Sequence, residues 1–90
     1  MPTPDIVSLE KKTGSTTASG VSAGGYSYVT VTLASNLIII GVPKVSTTTT
    51  NARVEVVNGG KNTFTVKAYN DGAEAQDVAI SYEVYVMKEV

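Results

Sequence analysis

The sequence predicts an all-β protein, a small antiparallel β-sandwich of six or seven strands. Valine, isoleucine and threonine make up 14, 5 and 12 of the 90 residues, and such side chains pack well on a pleated sheet. Strong helix formers are scarce, with only three leucines. Several segments alternate between apolar and polar residues and are separated by turn signals, as in a sandwich. Ninety residues are enough for one domain.

The first 25 residues differ in composition from the rest of the chain. Pro2 and Pro4 disfavour helix at the residues before them, which predicts an extended arm over residues 1–5. A short strand is expected at residues 6–9. Residues 13–25 are almost entirely Gly, Ser, Thr and Ala, which predicts a flexible loop. We therefore divide the chain into an arm, short strand and loop over residues 1–25, and a β-sandwich domain over residues 26–90.

Alternation begins at residue 26, and two strands are predicted before the middle of the chain. The first runs over residues 28–33 and ends at a turn marked by Asn36. The second, residues 37–42, is apolar on both faces and is expected to be covered on both sides. Pro43 cannot donate to a ladder and indicates a sheet edge, a bulge or a strand break. The inward residues of the first strand are Val29, Val31 and Leu33.

The second half reads as a meander of three strands. Residues 52–57 and 63–69 flank a hairpin loop at residues 58–62, where Asn-Gly tolerates positive φ angles. A second turn covers residues 70–76, and the last strand runs over residues 77–87. The inward residues are Val54 and Val56, then Phe64, Val66 and Ala68, then Val78, Ile80, Tyr82, Val84 and Val86.

Composition argues against most kinds of chemistry. Histidine and cysteine are absent, so the usual zinc and haem ligands and the most common acid–base side chain are missing. We expect no enzyme activity, no catalytic residue, no metal and no cofactor. One open alternative is a calcium site built from Asn70, Asp71, Glu74 and Asp77.

Charge and hydropathy restrict the partners and the location. The net charge is −1, and Lys11-Lys12 is the only basic pair, so nucleic-acid binding is not expected. The apolar run at residues 37–42 is too short to span a bilayer, and the N-terminus lacks the features of a signal peptide. We expect a soluble chain made in the cytoplasm, with no membrane partner.

Apolar side chains also fall on the faces opposite the expected core. A contiguous patch of this kind marks an interface, and tyrosine is enriched at such sites. A domain this small, without disulfides, also gains stability by associating. We therefore predict a homo-oligomer. The candidate interface residues are Tyr28, Ile39, Tyr69, Tyr85 and Met87.

Four segments carry a resemblance to a known family. Residues 42–45 (VPKV), 51–56 (NARVEV), 63–66 (TFTV) and 78–84 (VAISYEV) resemble the H-type lectin fold. The resemblance implies a six-stranded sandwich of the kind found in bacteriophage tail fibres and capsid decoration or cement proteins. It also favours a trimer as the oligomer, because glycan sites of the family lie between the subunits of a trimer. The family carries a tryptophan near the position of Tyr82, and this chain has none. No sugar-binding residue is therefore carried over.

These expectations combine into two hypotheses of function. The first is a virion structural protein of a phage-like virus, a capsid decoration, cement or spike subunit that assembles with its own copies and with other capsid or tail proteins. The arm or the loop at residues 13–25 is then expected to dock on a capsid neighbour. The alternative is a carbohydrate-binding module that recognises cell-surface glycans through the loops at residues 58–62 and 70–76, since Asn and Asp side chains bind sugar hydroxyls.

Overall fold

A computed structural model describes residues 9–88 of the chain, and within them there are six strands and no helix. The all-β prediction is therefore confirmed, with the number of strands expected. Residues 1–8, which hold the predicted arm and most of the predicted first strand, lie outside the described residues. The strands are β1 (Glu10–Val21), β2 (Tyr26–Thr32), β3 (Leu37–Ser46), β4 (Ala52–Gly59), β5 (Thr63–Asn70) and β6 (Gln76–Lys88).

The strands form two antiparallel sheets of three strands each. Sheet A has the order β1-β6-β3, and sheet B has the order β2-β5-β4. The inner faces pack on each other in a small sandwich, with β6 and β5 as the central strands. Among residues 9–88 no helix is long and apolar enough to cross a membrane.

The core lies between the two central strands and follows the predicted alternation. Val66, Ala68, Val78, Ile80 and Val86 are completely buried. The Phe64 ring meets the Tyr82 ring edge to face, with centroids 5.4 Å apart, so Tyr82 packs in the interior as predicted. Val29, Leu33, Val54 and Val56 close the core from sheet B. Every residue predicted to point inward from β2, β4, β5 and β6 does so.

The polar segment expected to be a loop is mostly strand. Residues 13–21 belong to β1, which pairs antiparallel with β6 from Glu10 to Ala18 and again at Val21. Threonine is compatible with a strand, and β6 supplies the hydrogen-bonding partner that local composition cannot reveal. Two inward positions of β1 hold the small residues Gly14 and Ala18, and at Gly14 the Tyr82 side chain of β6 occupies the space that a larger residue would need.

The apolar strand β3 is not covered on both sides as expected. It is an outer strand of sheet A, with Ile40 41% exposed and Val42 85% exposed. The prediction for Pro43 is confirmed, because the β3–β6 register shifts between Ile40 and Lys44. Gly41 has φ +78° within this bulge, a conformation that favours glycine.

Candidate interaction surfaces

The five predicted interface residues do not lie on one surface. Tyr28 and Tyr69 lie on the outer face of sheet B, and Tyr85 and Met87 lie on the outer face of sheet A. Because the sheets are stacked, these two faces point in opposite directions. The outward tyrosines and Met87 therefore form two separate surfaces.

Ile39 was assigned to the wrong face. It lies opposite the buried Val86 and packs against the core. Side chains alternate with a period of two along a strand, so an error of one residue exchanges the faces. In a segment of three consecutive isoleucines, the pattern gives no indication of which one points inward. The outward residues are its neighbours Ile38 and Ile40, which sequence reasoning did not select.

The first surface is a block of four apolar side chains, Ile38, Ile40, Tyr85 and Met87, which we name the sheet A patch. Ile38 lies directly opposite Met87, and Ile40 lies directly opposite Tyr85. Tyr85 is 47% exposed and Ile40 is 41% exposed. The patch occupies one end of the outer face of sheet A, and the exposed Val42 follows it in the bulge.

The rest of that outer face is polar. Lys11 Nζ lies 3.2 Å from Glu83 Oε1, and this carboxylate raises the pKa of Lys11 through the hydrogen bond and the charge. A shallow depression beside the ion pair is lined by polar side chains of all three strands, including Thr13, Ser46 and Ser81. Since polar residues are normal on a solvated sheet face, the apolar patch stands out against this background.

The second surface is the outer face of sheet B, which we name the tyrosine face: Tyr26, Tyr28 and Tyr69 with Lys67, Arg53 and Glu55. The ring of Tyr26 lies 5.4 Å from that of Tyr28 and 6.2 Å from that of Tyr69. Lys67 Nζ lies between them, 4.0 Å from the Tyr26 centroid and 4.8 Å from the Tyr69 centroid. Such cation–π contacts hold the rings in place.

Polar contacts complete the tyrosine face. Tyr69 donates its hydroxyl hydrogen to Glu55 Oε1 at 2.8 Å, and the Arg53 guanidinium lies 3.8 Å from the Tyr69 centroid. Arg53 Nε also donates to Asp71 Oδ2 at 3.0 Å. The pKa of Lys67 is raised, chiefly by its hydrogen bond to Tyr69. The face presents half-exposed aromatic rings with two cations and two carboxylates.

Sequence reasoning found only Tyr28 and Tyr69 of this surface. Tyr26 precedes the strand predicted at residues 28–33, although the same period of two places it on the same face as Tyr28. Arg53 and Glu55 point outward because they alternate with the inward Val54 and Val56. Lys67 alternates with Val66 and Ala68, so its outward direction follows from the pattern. Its contacts with the Tyr26 and Tyr28 rings depend on the pairing of β2 with β5.

The two loops proposed for glycan binding lie at opposite ends of β5, so they cannot form one site. Their amide groups also hold the fold. Asn62 Nδ2 donates to the Leu33 carbonyl at 2.9 Å, and Asn58 Oδ1 accepts from the Gly59 amide at 2.9 Å. Gln76 Nε2 donates to Asn70 Oδ1 and to the Thr50 carbonyl.

Asn70 is completely buried and joins three segments of the chain. Its Nδ2 donates to the carbonyls of Val21 and Glu74 at 2.9 and 2.7 Å. Its Oδ1 accepts from the Gly72 amide and from Gln76, both at 2.9 Å. All hydrogen-bonding positions of the side chain are occupied, so Asn70 has a structural role and is not available to a ligand.

The residues considered for a calcium site are dispersed. Asp71 pairs with Arg53, and Asp77 Oδ1 accepts from the Gly20 amide at 2.8 Å on the β1 side. Within residues 9–88 no group of three or more His, Cys, Asp or Glu side chains is placed to hold a metal ion.

No family model, curated protein or solved structure matches this chain. The resemblance to H-type lectins therefore stays a prediction.

Proposed function

We propose that this chain is a virion structural protein of a phage-like virus, a capsid decoration, cement or spike subunit that acts through protein–protein contacts. The observation that carries the proposal is the sheet A patch. Its four apolar side chains lie side by side on an outward face, with Ile40 and Tyr85 exposed and Ile38 and Met87 partly exposed. Burial of such a patch against another protein removes apolar surface from water, which drives association.

The composition of the patch supports a protein partner. Tyrosine and methionine are enriched at protein interfaces, and the patch contains one of each beside two isoleucines. Its polar border, which includes the Lys11–Glu83 ion pair, resembles the rim of an interface. In a monomer, serine or threonine at these positions would keep the strands and avoid the exposed apolar surface. The apolar side chains are therefore better explained by an interface.

In a ring of more than two copies, the sheet A patch would be buried against a different surface of the neighbour. Heterologous contacts of this kind close into rings such as the trimer favoured above. Residues 13–21 are held in β1, so the docking role first given to a loop at residues 13–25 is restricted to the short connection at residues 22–25.

Static light scattering across a range of concentrations tests self-association. We expect an oligomer, with Ile40→Ser moving the midpoint of association to about tenfold higher concentration, since loss of one buried apolar side chain costs about 1.5 kcal/mol or more. Val57→Ser is the matched control, because Val57 is 43% exposed on β4 of the other sheet. A monomer at every concentration would contradict the proposal.

The virion role is tested separately by co-sedimentation with purified phage heads stripped of their decoration proteins. We expect the wild-type protein to sediment with the heads and Ile40→Ser to do so more weakly. If the protein forms an oligomer but binds none of the tested heads, the self-assembly is supported and the virion role is contradicted.

Carbohydrate binding remains a second candidate, now supported by the tyrosine face. Tyr26 and Tyr28 are each 55% exposed, and aromatic rings on a flat sheet can stack on sugar rings. A glycan array with the wild-type protein and Tyr28→Ala tests it. Signals that vanish in the variant would support sugar binding at this face, and an array without signals would remove the candidate.

A further inference from the structure

The outer strands of the two sheets differ in how they are protected against pairing with another strand. Proteins commonly block free strand edges with charged residues, proline or bulges. β3 has a bulge that contains Pro43, and its Ile39 amide already donates to the Lys61 carbonyl at 2.7 Å. β1 has a register shift between Ala18 and Val21, and β4 has one between Val56 and Asn58. Both strands also carry charged residues.

β2 has none of these protective features. Its sequence, YSYVTVT, contains no charged residue, no proline and no glycine. Its register with β5 is continuous from Tyr26 to Thr32, without a bulge. Short segments of high β-propensity and no charge pair readily with other strands when their edge is free.

The hydrogen bonds at the two ends of β2 show which backbone groups are free. The Asn70 amide donates to the Gly25 carbonyl, and the Leu33 amide donates to the Asn62 carbonyl. In an antiparallel pair hydrogen-bonded positions alternate, so residues 25, 27, 29, 31 and 33 direct their backbone groups toward β5. Tyr26, Tyr28, Thr30 and Thr32 direct theirs to the free edge, where no backbone partner occurs within residues 9–88.

We propose that β2 pairs antiparallel with β2 of a second copy of this chain, across a two-fold axis at Val29. In this register Tyr28 lies opposite Thr30 of the second copy, and Tyr26 lies opposite Thr32. Each backbone amide and carbonyl that β2 directs to its free edge then faces a complementary backbone group on the free edge of the second copy. The result is one continuous six-stranded sheet made from two copies of sheet B.

The composition of β2 fits a second copy as the occupant. The strand carries no charge, so two copies place no like charges opposite each other. On the outer face the register pairs each tyrosine with a β-branched threonine, which is a favourable cross-strand combination. The tyrosine faces of the two copies become continuous across the joint.

This inference rests on the proposed assembly function and adds a contact to it. The sheet A patch makes a heterologous contact, whereas the β2 pair is isologous and joins two copies whichever ring each belongs to. The two contacts lie on different sheets, so they can be tested independently.

Disulfide trapping tests the register directly, because the chain has no cysteine of its own. At the axis, residue 29 faces its own counterpart in a non-hydrogen-bonded pair with Cα atoms about 4.5 Å apart, within disulfide reach. We expect Val29→Cys to give a covalent dimer on mild oxidation. Ser27→Cys and Val31→Cys should each remain uncrosslinked, since each residue lies about 13 Å along the strand from its own counterpart. An equimolar mixture of these two variants should crosslink.

Proline substitution tests the contact without a new bond. Thr30 directs its amide to the free edge, so Thr30→Pro removes a donor that β5 does not use. We expect Thr30→Pro to weaken association about tenfold or more, with Thr30→Ala, which retains the amide, close to wild type. Circular dichroism and thermal unfolding verify that both variants are folded.

The outcomes separate the two proposals. An oligomer that keeps its mass in Thr30→Pro and gives no crosslink at position 29 would overturn the β2 pairing and leave the proposed function intact. Crosslinking of Ser27→Cys or Val31→Cys alone would overturn the register. A wild-type protein that is monomeric at all concentrations would overturn both.

Discussion

Gly14 lies directly opposite Tyr82, and the phenol ring of Tyr82 fills the space that a side chain at position 14 would need. A Cβ atom on Gly14 would meet the Tyr82 ring carbon Cζ at 2.5 Å. Tyr82 cannot move freely, because its ring packs edge to face on Phe64. Thus a glycine in the polar strand β1 permits the largest inward side chain of β6 to reach the core.

We expect Gly14→Ala to lower the free energy of unfolding by about 1–3 kcal/mol through overpacking. The same substitution in a Tyr82→Leu background should cost much less, because leucine does not reach the space beneath position 14. Chemical denaturation of the four proteins gives the coupling between the two sites. An equal cost in both backgrounds would contradict the steric explanation.

Asn70 is the polar residue on which the end of the sandwich depends. We expect Asn70→Ala to lower the free energy of unfolding by about 3 kcal/mol, since it leaves buried groups of Val21, Gly72 and Glu74 without their partner. Urea denaturation measures the change.

The matched control for this prediction is Asn58→Ala. Asn58 is exposed, and its side chain makes one local hydrogen bond, to the Gly59 amide. We expect a change within about 0.5 kcal/mol for this variant. Equal effects of the two substitutions would show that burial of Asn70 does not matter.

At the bulge in β3, we expect a substitution of Gly41 to lower the free energy of unfolding through backbone strain alone. Gly41 has φ +78°, and no atom lies within 4 Å of the point that a Cβ would occupy. Gly41→Ala therefore strains the backbone without creating a steric clash. We expect a loss of about 1 kcal/mol in the free energy of unfolding. Gly59→Ala, also in open space but without a positive φ, should be neutral or slightly stabilising. A neutral Gly41→Ala would mean that the bulge adjusts its backbone.

The tyrosine face predicts a change in the titration of one lysine. Nuclear magnetic resonance of the Lys67 side chain should give a pKa above 10.5, and Tyr69→Phe should lower it, since the hydrogen bond to Tyr69 is the largest cause of the shift. Lys11 is the internal control, because its raised pKa depends on Glu83 and should not respond to Tyr69→Phe. A response of both lysines, or of neither, would contradict the assignment.

The raised pKa of Lys67 determines the direction in which its contribution to stability changes with pH. A lysine whose folded-state pKa is raised stabilises the fold while it is protonated, below its unfolded value near 10.5. This contribution is lost as the pH rises through the folded pKa. We therefore expect the difference in stability between wild type and Lys67→Gln to shrink above pH 10.5.

The amino-acid sequence by itself determined the fold class and most of the core. In β5 and β6 large apolar residues alternate with polar ones, so the period of two identified Phe64, Val66, Val78 and Ile80 as inward residues. An interruption at Pro43 (a sheet edge, a bulge or a strand break) also followed from local chemistry, because proline lacks the amide hydrogen that a ladder requires.

Only the tertiary structure decided which segments find partners and which faces stay open. β1 has too few apolar residues to be recognised locally, and it is a strand because β6 pairs with it over most of its length. In β3 three consecutive isoleucines do not show which residues point inward. Pairing with β6 placed Ile39 in the core and left Ile38 and Ile40 outside. The free edge of β2 likewise depends on sheet order. Strand pairing joins residues that are distant in the sequence, and local alternation contains no record of it.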